Sequence, residues 1–320
     1  MRAARLTSPK RFEFVDIPMP TPKPEEVLVR LERLSICGSD LRIYDRVLPE
    51  EQYPVAPGRP CHECLGVVVE SRSGAFKPGQ RVIVFPSTSG GLVEYMAEPA
   101  ARLVPVPDSG DPSRWLMCQP VGTVMYACQR IGSVMGLRVA VLGQGAIGLS
   151  FTGLLNRLGA SQVIVTDLLD YRLELARKLG ATHTINAARE NVQQAVAEIT
   201  QGQGADIVIE ACGRPETVNQ IAQVVRKEGL AVLFGLAHDQ DAFQFNFDAM
   251  TTQLPTIIVV NSARSGHMPK AVAQCVDLVA QDRMDLSYLV THQLSLNDVQ
   301  KAYDLYSDKQ DGIIKVVMEL

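Results

Sequence analysis

Val141-Leu-Gly-Gln-Gly-Ala-Ile-Gly-Leu149 decides the fold of half of this chain. Gly143, Gly145 and Gly148 stand in a GxGxxG spacing, directly after the apolar run Leu137–Leu142 and opening a helical stretch from Ala146 to Leu158. In that setting Gly143 makes the tight turn and Gly145 lets a pyrophosphate approach the backbone. Gly148 lets the helix pack close to the sheet. Ala146 and Ile147 begin the helix, whose outward-pointing amides meet the pyrophosphate. Glycine triplets also occur in ordinary turns, so the surroundings must decide. Asp167 closes the next strand, Gln162–Thr166, about 20 residues on, where a carboxylate accepts from both ribose hydroxyls of an adenosine. Its plainer reading is an acid at a helix N-terminus beside Asp170. Together the two features predict a dinucleotide site, and the charge of Asp167 repels a 2′-phosphate, which favours NAD over NADP. Arg172 belongs to the same set, because an arginine there can accept that phosphate; a solvated helix residue is its favoured reading.

The alternation continues downstream. Helices are expected over Asp170–Leu179, closed by Gly180, and near 190–200 and 215–227. Strands are expected at Thr182–Asn186, Asp206–Glu210, Leu230–Gly235 and Thr256–Asn261. Strand–helix alternation with apolar strands such as Val139-Ala-Val-Leu142 predicts an α/β, doubly wound parallel sheet. The last 55 or so residues, with helical patterns at Lys270–Ala280 and Leu296–Tyr306 and a closing strand Ile313–Leu320, fit either domain on pattern alone.

Upstream, the first 120 or so residues are β-rich. Short runs at Glu26–Leu31, Leu65–Glu70, Arg81–Phe85 and Leu92–Ala97 are broken by proline and glycine clusters, which suits a small barrel or sandwich. The whole chain has 320 residues, 46% hydrophobic and 21% charged, enough for two cores. A net charge of −4 gives no case for nucleic acid or an anionic membrane. No apolar run nears the roughly 18 residues of a membrane span, and the start lacks a signal-peptide pattern, so a cytoplasmic protein is expected. Seven cysteines, an odd number set singly, are thiols or metal ligands rather than a disulfide framework.

One constellation in the β-rich half carries chemistry. Cys37-Gly-Ser-Asp40 is followed by His62-Glu63, and thiolate, imidazole and carboxylate are the three protein ligand types of zinc. Three ligands leave an open position, the pattern of a catalytic site. Open Lewis acidity lowers the pKa of an alcohol and so promotes loss of hydride from its carbon. The spacing alone also admits a core cysteine and a structural His–Glu pair. His183, His238, His267 and His292 fit no ligand spacing.

Seven segments in order resemble the zinc-containing medium-chain dehydrogenase/reductase family, nearest its sorbitol (polyol) and threonine dehydrogenase branch. They are Ile36-Cys-Gly-Ser-Asp-Leu-Arg-Ile-Tyr44, Cys61-His-Glu-Cys-Leu-Gly-Val-Val-Val69, Pro78-Gly-Gln-Arg-Val82, Gly90-Gly-Leu-Val-Glu-Tyr95, the Gly143–Gly148 loop, Gly204-Ala-Asp-Ile-Val-Ile-Glu-Ala-Cys-Gly213 and Gly312-Ile-Ile-Lys-Val-Val317. The resemblance covers essentially the whole chain. It implies a GroES-like β-barrel catalytic domain from residues 1–121 and 262–320, around a Rossmann domain at 122–261. It also implies Cys37, His62 and Glu63 as zinc ligands, Ser39 as first proton acceptor, Asp40 as the carboxylate orienting His62, and Gly235-Leu236 beside the nicotinamide. A homodimer or homotetramer follows, with the β-branched run Thr256-Ile-Ile-Val-Val260 as the pairing strand.

Four departures from the family pattern stand out. Only Pro86-Ser-Thr-Ser89 fills the place of the long lobe that holds a structural zinc, so one catalytic zinc and no structural zinc is expected. Cys61 replaces the usual glycine before His-Glu and Cys64 follows, which puts an extra thiolate near the metal. Gln119 replaces a frequent acid and removes one candidate ligand. Arg42 replaces a proton-passing histidine; it is expected to pair with the cofactor pyrophosphate or, alternatively, to bind an anionic substrate. The reaction expected is hydride transfer between a secondary alcohol (polyol, sugar or amino alcohol) and NAD. The alternatives are a zinc-free quinone or alkene reductase of the same fold and a nucleotide-binding relative without catalysis.

Overall fold

The computed structural model describes residues 1–236 and 242–320, so His238 lies outside the described residues. Two compact units result: Met1–Gly122 with His267–Leu320, and Thr123–Gly266. The return to the first unit at His267 falls five residues later than the 262 expected.

The second unit is a parallel sheet of six strands. Their spatial order is His183–Asn186, Gln162–Asp167, Arg138–Leu142, Ala205–Glu210, Val225–Leu233 and Thr256–Val259. Val139, Val141 and Leu142 are fully buried, as a strand covered on both faces requires, and each contributes roughly 1.5–3 kcal/mol by leaving water. The helix Ala146–Arg157 buries Leu149, Phe151 and Leu155 on one side. The helix Asp170–Lys178 stops before Gly180, whose φ of 105° is the left-handed turn expected there. Sequence order reverses between Arg138–Leu142 and Ala205–Glu210, and dinucleotides lie at such a reversal, outside the carboxyl ends of the strands.

One boundary differs from expectation. The helix expected over 215–227 ends at Val224, and the following strand begins at Val225, five residues before the expected start. Glu228 there takes a positive φ of 55°, and the pairing shifts register between Ala205 and Ile207. Val225-Arg-Lys-Glu228 carries too few apolar residues for periodicity to separate helix from irregular strand.

In the first unit seven strands form one sheet. The order Val290–Ser295, Lys315–Glu319, Glu26–Ser35, Glu63–Ser71, Arg81–Val84 and Leu103–Pro105 is antiparallel after its first pair, and Tyr95–Pro99 also pairs with Glu26–Ser35. A hairpin of Arg2–Ser8 and Arg11–Asp16 stands separately, burying Ala3, Ala4 and Leu6 while Arg2 is exposed and Arg5 half-buried. The strand expected at Leu92–Ala97 is observed at Tyr95–Pro99.

The shortened lobe is a turn held by two charged side chains. Glu98, 4% exposed, accepts from the Ser87 amide at 2.8 Å and from its hydroxyl at 2.9 and 2.8 Å. Arg102 donates to the Phe85 and Pro86 carbonyls at 2.7 and 3.1 Å.

Candidate active site

Sheet register assembles the first site. Ser35, at the end of the long strand Glu26–Ser35, pairs with Glu63 on one side and Val317 on the other. Glu63 and the C-terminal strand therefore meet across it. Cys37 lies two residues beyond Ser35 and caps the short turn Gly38–Asp40, donating its backbone N–H to Asp40 Oδ2 at 2.9 Å. Ser39 is half-buried on that turn. Asp40, 3% exposed, reaches His62 with Oδ1 at 2.8 Å from Nδ1. Second-sphere carboxylates of this kind fix a ligating histidine's tautomer, here leaving Nε2 to the side of Cys37. The Tyr303 hydroxyl donates to the Pro60 carbonyl and pins the loop that leads into His62.

Cys37, His62 and Glu63 bring one ligand atom each within 4.8 Å of one another. The electrostatics suit a cation. Burial disfavours an imidazolium at His62, yet the charges of Asp40 and Cys37 outweigh it and hold the ring's pKa well above its ordinary value. Glu63 is met by Lys315, whose Nζ lies 2.6 Å from both carboxylate oxygens and 2.9 Å from the Ile36 carbonyl. Burial opposes the ammonium, but Glu63 and then Cys37 more than compensate, so the Lys315 pKa is raised. Lys315 is the site residue that motif reading passed over, although a lysine inside the apolar run Ile313-Ile-Lys-Val-Val317 signals a buried counter-charge.

Gln119, 2% exposed, donates through Nε2 to the His62 carbonyl at 2.7 Å, while its Oε1 is buried with no partner among the described residues. Such an orphaned oxygen is rare in a native fold and beside this donor set fits a site built for a bound group. A thiolate, an imidazole and a carboxylate with the carboxylate-bound histidine fit zinc.

Cys61 and Cys64 correct an expectation. Both are fully buried in the core of the first unit, and a hydrogen bond to Cys64, then burial, raises the Cys61 thiol well above its usual pKa. Cys61 is therefore a packed thiol and not an extra thiolate of the metal group.

In the second unit Gly143 takes φ 95°, and a Cβ there would meet Cys212 Sγ. Gly148 abuts the Gly143 carbonyl, and Gly145 caps the helix that Ala146 and Ile147 begin. Asp167 accepts from the Gln144 amide at 2.7 Å and the Leu169 amide at 3.0 Å, so the carboxylate is tied to the glycine loop itself. Arg172 is not a solvated helix residue. Its side chain is 15% exposed, 3.7 Å from Asp167, stacked over Tyr171 at 5.6 Å and directed at Gly145. Leu236 is 39% exposed beyond Gly235.

Comparison with known proteins agrees with this chemistry. Residues 23–108 match the alcohol dehydrogenase GroES-like domain, and 146–281 the zinc-binding dehydrogenase domain. An L-threonine 3-dehydrogenase of Xanthomonas campestris is 30% identical over 94% of both chains. The chain belongs to the zinc-containing medium-chain dehydrogenase/reductase family. An alcohol dehydrogenase of Cupriavidus necator is 29% identical, covering 100% of this chain and 98% of its own. The crystal structure of an alcohol dehydrogenase from Thermus sp. ATN1 superposes with a TM-score of 0.87 at 25% identity, covering 100% of both chains. This medium-chain dehydrogenase is thus a zinc- and nicotinamide-dependent alcohol oxidoreductase. Among the described residues no helix is long and apolar enough to cross a membrane.

Proposed function

We propose that this dehydrogenase interconverts a secondary alcohol of a polar small molecule (a polyol, sugar or amino alcohol) and its ketone, with NAD as hydride carrier. The observation that carries the proposal is the convergence of Cys37, His62 and Glu63, with Asp40 fixing the histidine. These three residues would hold one zinc, which when bound supplies Lewis acidity toward an alcohol oxygen. Ser39 takes the hydroxyl proton, and Asp40 keeps His62 Nε2 turned to the ligand set. Lys315 balances Glu63, so the carboxylate is not left as an isolated buried charge. The names of its threonine dehydrogenase relatives make amino alcohols the first substrates to try.

NAD rather than NADP follows from Asp167, whose carboxylate is fixed by two backbone amides where the adenosine ribose would lie. Arg172 is already engaged with that carboxylate, which leaves it less available to a 2′-phosphate. A single zinc is supported by the turn at 86–89, which contains no cysteine and is tied by Glu98 and Arg102 through hydrogen bonds. The zinc-free reductase reading is disfavoured by the intact donor set. Pairing of a second copy along Thr256–Val259 would cover Ile257 and Val259, which are 46% and 67% exposed on an edge strand. The free thiols suit a reducing compartment, the cytoplasm. Screening zinc-loaded protein for NAD reduction against polyols, sugars and amino alcohols tests the proposal. Turnover of a secondary alcohol, abolished by chelation and restored by zinc, is expected; chelator-resistant reduction of a quinone would favour the zinc-free reading instead.

A further inference from the structure

Glu210 ends the strand Ala205–Glu210 and is 1% exposed. Its Oε1 accepts from the Cys212 and Gly213 amides, both at 2.8 Å, and from the Thr217 hydroxyl at 2.7 Å. The Gly235 amide also reaches this carboxylate. Every one of these partners is a neutral donor, and among the described residues Glu210 enters no ion pair. Burial raises its pKa above the ordinary value although the four donors act the other way, while the geometry, in which every partner is an N–H or O–H donor, suits the anion. A buried negative charge without a counter-cation is costly, and such a charge persists where it meets a positive ligand.

Its position says which ligand. The strand order reverses beside Ala205–Glu210, and a dinucleotide spans that reversal with one nucleotide on each half of the sheet. The Gly143–Gly148 loop and Asp167 mark the adenosine half, so Glu210 stands at the end of the other half. Its amide donors come from the two loops there, 211–214 and 234–236, and its hydroxyl donor from Thr217 on the helix Pro215–Val224. They touch so closely that Gly213, at φ 73°, could carry no side chain against the Leu236 carbonyl. The charge is felt at the rim of these loops. The half-exposed Cys212 thiol is pushed up to about 12, first by burial and next by Glu210, with Asp167 adding; Thr217 and Arg214 act the other way.

We propose that Glu210 sets the redox preference of the bound cofactor, its buried carboxylate favouring the cationic nicotinamide of the oxidised form over the neutral ring of the reduced form. The inference rests on the nicotinamide-cofactor reading and adds to it a direction, since tighter binding of the oxidised form favours reduction of the carbonyl on the enzyme. Glu210 is a positioning residue, acting through the loops and through space.

Calorimetric titration of the full chain with NAD⁺ and, separately, NADH tests it. In Glu210→Gln the ratio of dissociation constants, NAD⁺ over NADH, should rise about tenfold, the scale of one charge–charge contact across protein. A purely structural role weakens both forms alike and leaves the ratio unmoved, which would overturn the proposal. Glu210→Asp gives an independent check, because it keeps the carboxylate while changing its packing. There the ratio should stay within about twofold of wild type, and a rise of about tenfold would overturn the proposal even if Glu210→Gln does not fold. Wild-type protein that binds neither form would instead remove the cofactor reading underneath.

Discussion

Lys315→Met removes the ammonium that pairs with Glu63 while keeping nearly the same volume. In the metal-free protein the carboxylate, 2% exposed, would lose both 2.6 Å contacts and the Ile36 carbonyl would lose its donor. Breaking a buried pair from one side costs about 3–5 kcal/mol. At roughly 2–4 °C per kcal/mol, the metal-free melting point should fall by about 6–20 °C. Zinc bound to Cys37, His62 and Glu63 supplies replacement positive charge, so less than half of that loss should remain in the loaded protein. The pH dependence has a definite sign. A lysine whose folded pKa is raised stabilises fully below its unfolded pKa, about 10.4, and loses that contribution only as pH climbs through the folded value. The deficit of the variant should thus be flat from pH 6 to 9. Thermal melts of wild type and variant, with chelator and with zinc, measure all of this. An equal loss in both states would show that Glu63 does not face the metal, and a metal-free loss below about 1 kcal/mol would refute the buried-pair argument.

Three other perturbations have defined outcomes. Asp167→Ser removes the repulsion of a 2′-phosphate, so the NAD preference in kcat/KM should narrow or invert; wild type using NADP equally well would contradict the role given to Asp167. Glu98→Ala leaves the Ser87 amide and hydroxyl unpaired and should cost about 1–3 kcal/mol in denaturant unfolding with unchanged zinc content. A fall in zinc content would tie the turn to the metal. In Asp206, burial is outweighed by the Arg138 amide and by the Arg138 and Arg226 side chains, so its pKa is lowered. Its stabilisation is present above the unfolded pKa near 3.9 and is lost as pH falls through the folded value. Asp206→Asn should be less stable than wild type at pH 7 and approach it in acid, whereas a pH-independent gap would exclude the charge.

The dinucleotide loop was legible because its constraints are local. Gly143, Gly145 and Gly148 answer backbone geometry within six residues, and Asp167 follows one helix later. Cys37 and His62-Glu63 were legible as residue types, but their meeting depends on Ser35 pairing with two strands at once. Lys315 joins from the C-terminal strand, and nothing in local spacing links it to Glu63. Arg172 could not be assigned because helix periodicity does not reveal that its guanidinium folds back over Tyr171 to Asp167. Cys61 differs from expectation for a related reason: sequence adjacency to His62 places a sulfur near the metal group, but only the fold shows that the thiol packs into the core beside Cys64. Glu210 and Gln119 lie within or beside quoted motifs, yet their importance rests on burial and hydrogen-bond satisfaction, which only the folded chain shows.

Zinc content measured together with NADH binding, in wild type and in Cys37→Ser, bears most directly on the catalytic centre. About one zinc per chain is expected in wild type. In Cys37→Ser the metal and most of the alcohol-dependent NAD reduction should be lost while NADH still binds, since the glycine loop and Asp167 belong to the other unit. A Cys37→Ser protein that keeps its full zinc and its activity would contradict the assignment of the centre.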